Sequence, residues 1–139
     1  RMEKVAEIGG IAYVNDSKST NEDSVLKALE SFPPGAGLVL IMGGKDKGFS
    51  FGGLTNAVRE RVRLLVLIGE TARKIAADLE PSGVKTVFAR DMGEAVGRAR
   101  AAAAPGETVL LSPGCSSFDM FTDYKERGDV FKSAVQALR

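Results

Sequence analysis

The 139-residue chain has no histidine, no tryptophan and one cysteine. Without an imidazole to activate serine or cysteine, triad-type nucleophilic chemistry is excluded. A dense His/Cys metal site is excluded by count, and no metal ligand is expected among these residues. A single cysteine makes no internal disulfide and fits a reducing compartment. No apolar run approaches the roughly 18 residues of a membrane span, and no charged-then-apolar leader pattern opens the chain. The cytoplasm is the expected location. Charge of one sign is not in excess either, with 19 Lys+Arg against 18 Asp+Glu. A long-range field for polyanions is therefore absent, and no basic tract carries interleaved aromatics, which argues against nucleic acid. There is no initiator methionine: "RMEKVAEIGG" opens on a strand-like segment, as expected of a piece of a longer or processed polypeptide.

What is present is alternation. "EKVAEIGGIAYVND" reads as a hairpin turning at Gly9 and Gly10. "GLVLIMGG" and "RLLVLIG" are apolar runs too short for helices, hence buried parallel strands, and "VKTVFA" and "ETVLLSPG" are two more. Between them lie helix-period segments: "NEDSVLKALESF", with Val25, Leu26, Leu29 and Phe32 on one face, then "LTNAVRERV", "ETARKIAADLE" and "DMGEAVGRARAAAA". The tail "SSFDMFTDYKERGDVFKSAVQALR" holds one or two helices. Such alternation predicts one α/β domain over 1–139, a Rossmann-like three-layer fold. Its sheet is mostly parallel, of about six strands, with one antiparallel edge strand from the N-terminal hairpin. Ligands of such sheets bind beyond the carboxyl ends of the strands.

Three loops fall at that edge. In "VNDSKSTNEDS", Thr20 followed by Asp23 resembles a capping box, and Lys18 adds a charge beside a helix start. The stretch is either a capped helix with a solvated lysine or one wall of an anion site. In "MGGKDKGFSF", Gly43 and Gly44 free the backbone while Lys45 and Lys47 flank Asp46. The spacing is not that of a phosphate loop, and the segment is either a polar turn or a lysine site for a phosphate or carboxylate. In "LLSPGCSSFDMFTDYKERGD", small residues permit close approach of a ligand and offer hydroxyls. Phe118, Phe121 and Tyr124 follow at helix-like spacing, which suggests core for some of them. Cys115 reads as a buried small residue. Two lysines, a threonine and serines at one edge suit a small dianion that is held and positioned.

At these same residues the chain resembles the C-terminal domain of the Mur ligases. "RMEKV", "NDSKSTN", "GGKDKG" and "LLSPGCSSFDMFTDYKERGDVF" carry the likeness in order, and "SKSTN" with "SSFDMF" points to the D-glutamate-adding branch. The resemblance implies an ATP-dependent ligase of peptidoglycan synthesis. It would add D-glutamate to UDP-N-acetylmuramoyl-L-alanine through an acyl phosphate, with Mg²⁺ balancing charge. It also implies N-terminal UDP-binding and central ATPase domains, absent from these residues, that hold most of the ATP and the metal; alone, this chain is expected not to turn over. By resemblance Lys47 and Thr20 hold one carboxylate of D-glutamate, and Ser117 with the backbone around Phe118 and Tyr124 holds the other. Lys18 lies between amino acid and phosphates, and Arg1, Asp16 and Asn21 reach the nucleotide. Ser19, Gly114 and Ser116 stand where the family usually carries alanine, and Tyr124 where it carries phenylalanine. A folylpolyglutamate-type ligase domain and a stand-alone Rossmann-like binding module are the alternatives.

Overall fold

A computed structural model describes residues 2–139; Arg1, expected at the nucleotide, lies outside the described residues. Gly9 and Gly10 take φ of 61° and 79°, as a two-residue turn between twisted antiparallel strands requires. They join β1 (Glu3–Ile8) to β2 (Ile11–Asn15), with Ile8 opposite Ile11. There follow α1 (Glu22–Glu30), β3 (Leu38–Gly43), α2 (Thr55–Arg61), β4 (Val62–Ile68) and α3 (Ala72–Asp78). The chain ends with β5 (Lys85–Phe88), α4 (Met92–Ala102), β6 (Thr108–Leu111) and α5 (Tyr124–Gln136).

The six strands form one sheet in the order β1-β2-β6-β3-β4-β5. Only the β1–β2 pairing is antiparallel, so the expected three-layer architecture and antiparallel edge are both present. β3 is buried from end to end, which explains its unbroken apolar sequence, yet its side chains still alternate between faces. Leu38, Leu40 and Met42 pack with Val25 and Leu29 of α1, Val58 of α2 and Ile75 of α3. Val39 and Ile41 pack with Val96 and Ala99 of α4 and Phe131 and Val135 of α5. Each fully buried side chain of this kind is worth about 1.5–3 kcal/mol.

The sheet order positions the ligand edge. β2 and β3 lead to helices on one face, whereas β6, which lies between them, leads to α5 on the other. Neighbouring strands whose connections leave to opposite faces open a crevice at their carboxyl ends. The three loops singled out in the sequence follow these three adjacent strands.

One local expectation is corrected and another is narrowed. The N-cap of α1 is Asn21, not Thr20: Asn21 is extended and its side chain accepts from the Ser24 N–H at 2.9 Å. Asn and Thr both cap well, and here the helix starts one residue later than the Thr20–Asp23 spacing suggested. The tail holds a single helix, α5, preceded by a turn-rich loop over residues 116–123. Phe118 in that loop is 60% exposed, so its spacing to Phe121 and Tyr124 is not a helical face; Phe121 alone packs on the core beside α4 and α5.

At the amino edge of the sheet, away from the loops, Arg63 donates to Glu107 through Nε (3.1 Å) and Nη2 (2.6 Å). The Arg63 guanidinium holds the Glu107 carboxyl below its ordinary value. A depressed acid contributes stability above its unfolded pKa and loses it as pH falls through the folded one. Because Arg63 is part-exposed, Arg63→Ala should cost only about 1 kcal/mol at pH 7. Urea titrations should show a smaller difference between the two proteins at pH 3 than at pH 7.

Candidate functional site

The first loop leaves β2 at Asp16, whose N–H donates to Leu111 O at 2.7 Å, tying the end of β2 to the end of β6. The Asp16 side chain is 2% exposed. Its Oδ2 accepts from the Ser19 hydroxyl and from the Ser112 hydroxyl at 2.9 Å, while Oδ1 is buried without a partner among the described residues. Asp16 thus joins the first loop to the third and keeps one oxygen free. Lys18, next along, is exposed. A further tie runs from Gly114 N–H to Ser19 O, 3.0 Å.

The second loop leaves β3 through two glycines. Gly43 N–H donates to Pro113 O at 3.0 Å and Lys45 N–H to Ser116 O at 2.9 Å, both in the third loop. Its far end is pinned by Phe51, 1% exposed, whose N–H donates to Asp78 Oδ2 at 3.0 Å. Asp46 accepts from Gly48 N–H at 2.9 Å. That bond, with Lys74 and Lys45 nearby, holds its carboxyl below the ordinary range. The ion pairs of this loop belong to Lys45 (Glu70, 4.0 Å) and to Lys74 (Asp46, 3.4 Å), leaving exposed Lys47 unpaired among the described residues.

The third loop is buried from Ser112 to Ser117. The hydroxyls of Ser116 and Ser117 are buried with no partner among the described residues. An unsatisfied buried hydroxyl is costly and calls for an explanation; a ligand carboxylate is one for Ser117. Cys115 is 1% exposed, lies 3.3 Å from the Thr71 hydroxyl, and burial pushes its thiol up. It is a core residue, as expected, not a nucleophile.

Sequence reasoning missed a fourth loop and an arginine. After β4, Thr71 Oγ1 accepts from Gly44 N–H at 3.1 Å, and Glu70 accepts from Asp46 N–H at 2.8 Å. Glu70 N–H in turn donates to Asp119 Oδ2 at 3.1 Å, so this loop braces the second and third. On α5, Arg127 is 1% exposed. It donates through Nε to Ser17 Oγ (2.9 Å), Nη2 to Ser17 O (2.6 Å) and Nη1 to Cys115 O (2.8 Å). A visible signal existed: Arg127 stands four and eight residues before Phe131 and Val135, on the buried stripe of α5.

The structure brings Lys18 and Tyr124 together on a cavity of about 300 Å³, with Ser17, Lys125 and Lys132 around it. Asp16 lines a separate cavity of about 140 Å³ with Ser19 and Lys27. Lys47, Thr20, Ser117 and Phe118 line neither; Lys47 and Phe118 are exposed, Thr20 is half-buried and Ser117 is buried. Asn21, expected at the nucleotide, spends its Oδ1 on the helix cap. Fold and edge together define a Rossmann-like domain with loops gathered at the carboxyl ends of adjacent parallel strands.

The comparisons identify the family. Residues 1–115 match the family described as Mur ligase, glutamate ligase domain. A UDP-N-acetylmuramoylalanine--D-glutamate ligase of Geotalea daltonii is 52% identical over 99% of this chain and 30% of its own length. Its namesake in Bordetella parapertussis is 50% identical over 99% of the chain and 27% of its own. Among solved structures, a murein peptide ligase from Psychrobacter arcticus superposes with a TM-score of 0.62 at 12% identity, over 99% of this chain and 28% of that one. A UDP-N-acetylmuramoyl-L-alanyl-D-glutamate--2,6-diaminopimelate ligase gives 0.63 at 18% identity, over 99% and 31%. The chain belongs to the Mur ligase family as its glutamate ligase domain, and it spans about 30% of the length of curated relatives such as that from Geotalea daltonii.

Proposed function

We propose that this chain is the amino-acid-binding domain of an ATP-dependent ligase that adds D-glutamate to UDP-N-acetylmuramoyl-L-alanine in the cytoplasm, for peptidoglycan synthesis. The observation that carries the reading is the 46–52% identity, over essentially the whole chain, to ligases of that name. Two exposed lysines without an ion pair and a buried serine hydroxyl without a partner, among the described residues of these loops, support it. ATP with Mg²⁺, when bound, would supply the phosphoryl group that activates the acceptor carboxylate, with ADP released, and attack by the amine would expel phosphate carrying one former carboxylate oxygen.

The residues of this chain act on the incoming amino acid. Lys47 and Thr20 take one carboxylate of D-glutamate. Ser117 and the backbone around Phe118 and Tyr124 take the other. With both ends fixed, the amine is presented to the activated carbonyl carbon, and a second-order encounter becomes a local one. Lys18 lies between amino acid and phosphates, where its charge opposes that gathering on the departing oxygen. On the nucleotide side, the free Oδ1 of Asp16, facing a small cavity with Ser19 and Lys27, suits a hydroxyl donor from the sugar. Among the described residues no cluster of three or more acids, histidines or cysteines is arranged for a metal.

Lys47→Ala in the intact ligase should raise the KM for D-glutamate by roughly thirtyfold or more, the cost of truncating one side of a desolvated charge pair. The KM for ATP should stay near that of the parent. An unchanged D-glutamate KM would point to a different amino acid. A G-x-x-x-x-G-K-S/T stretch encoded upstream of Arg1 would separate the ligase from a stand-alone module, and the 139-residue chain by itself is expected to form no amide bond.

A further inference from the structure

Arginine is almost never fully buried without an acidic partner, yet Arg127 is 1% exposed and its three bonds go to Ser17 Oγ, Ser17 O and Cys115 O. No carboxylate among the described residues forms an ion pair with it, although Asp119 acts on it through space. Burial lowers its pKa to about 10, so it is charged at neutral pH. Three carbonyl or hydroxyl acceptors could be satisfied by a neutral donor, and a buried uncompensated charge is expensive. A guanidinium retained here needs a reason beyond hydrogen bonding.

Its position supplies one. Ser17 immediately precedes Lys18, and Cys115 lies two residues before Ser117. The Ser17 hydroxyl, accepting from Arg127, donates onward to Tyr124 O at 2.7 Å. The guanidinium also abuts the second loop, for a Cβ built on Gly44 would lie 3.4 Å from Nη1. One side chain therefore bonds the first and third loops and lies close to the second, at backbone adjacent to the residues assigned to the amino acid.

We propose that Arg127 is the positioning residue of the glutamate site: its planar fork ties the first and third loops together beside the second, and its buried charge, in no ion pair among the described residues, makes the assembled edge favourable to a dianion. The proposal rests on the preceding functional reading for its ligand, but not for the locking of the loops. Arg127 does not touch the ligand. It acts through Ser17 and Cys115, and the carboxylates of the amino acid add counter-charge to that of Asp119.

Two substitutions in the intact ligase test it. Arg127→Met fills the space without charge, and Arg127→Lys keeps charge without the fork. The Met variant should raise the D-glutamate KM at least about tenfold while the ATP KM stays within about twofold, the scale of losing hydrogen bonds to a charged group. Guanidinium chloride at about 20 mM, far below denaturing levels, should recover part of that loss, and the Lys variant should fall between Met and parent. A folded Met variant with parental D-glutamate KM overturns the proposal. So do equal losses in Met and Lys with no response to guanidinium, since a packing role alone predicts that. If the Met variant lacks a cooperative urea transition, the Lys variant decides alone, by a raised or an unraised D-glutamate KM at constant ATP KM. If the parent makes no product with D-glutamate, the functional reading falls, and the loop lock is judged separately. In the 139-residue chain the Lys45 and Gly114 amides, which bridge the loops, should then exchange about tenfold faster in the Lys variant while β4 amides do not change; equal rates overturn it.

Discussion

Gly43→Ala is expected to cost about 4 kcal/mol or more, enough to leave much of the chain unfolded at 25 °C if its total stability is the usual 5–15 kcal/mol. The residue closes β3 with φ of 131°, a conformation that side chains resist. The larger problem is space. A Cβ there would lie 1.8 Å from Ile68 O and 2.8 Å from Ile68 C, the backbone of the neighbouring strand. Backbone has no rotamer with which to yield, so β3 and β4 must separate where the sheet is most deeply buried. The same shift would pull Gly43 N–H from Pro113 O and disturb the third loop. Urea titration gives the loss directly. Gly97→Ala is the control: it lies within α4 with nothing within 4 Å of the added carbon, and it should gain about 1 kcal/mol from helix propensity. A Gly43→Ala protein with parental stability would mean that the two strands are not packed as described.

Asp16→Ala should have the second largest effect, about 3 kcal/mol of stability, by stranding two buried serine hydroxyls whose acceptor is removed. It should also raise the KM for ATP, because the oxygen offered to the nucleotide goes with it. Asp16→Asn separates the two roles. Its amide oxygen can still accept from Ser19 and Ser112, so the fold is retained, but the amide then puts a donor where Oδ1 stood. The Asn variant should therefore recover most of the stability while its ATP KM stays at least about tenfold raised. Parental ATP kinetics in Asp16→Asn would remove Asp16 from the nucleotide side of the site.

These two residues differ in how far the sequence disclosed them. The buried runs "LVLIM" and "LLVLI" were legible as strands because burial on both faces removes polar residues from both registers. The loops after them were legible because glycine, lysine and serine at strand ends have few other uses. Strand order was not: nothing in "ETVLLSPG" says that it pairs between β2 and β3, since that depends on which faces the helices cover. The choice of Asn21 over Thr20 as cap turned on a difference of one residue between two good capping side chains. Phe118 misled because aromatic spacing in a loop mimics a helical face. Arg127 was passed over because arginine defaults to the surface, and its partners lie 110 and 12 residues away. The spacing Arg127–Phe131–Val135 was present to be read; what the sequence could not supply was the set of loop oxygens that the guanidinium bonds.

The place of β6 between β2 and β3 has a consequence for how the domain comes into being. β2 and β3 do not pair with each other; both pair with β6. Until residues 108–111 insert, the chain holds two separate pieces, a hairpin and a three-stranded parallel sheet, with a slot between them. Closing that slot joins residues about a hundred positions apart, a contact that pays its full loop entropy before any reward and so comes late. The first and third loops meet only in that step, and α5 brings Arg127 to their junction only afterwards. As the domain is synthesised, most of its core can form early, while competence to bind arrives with the last strand and helix.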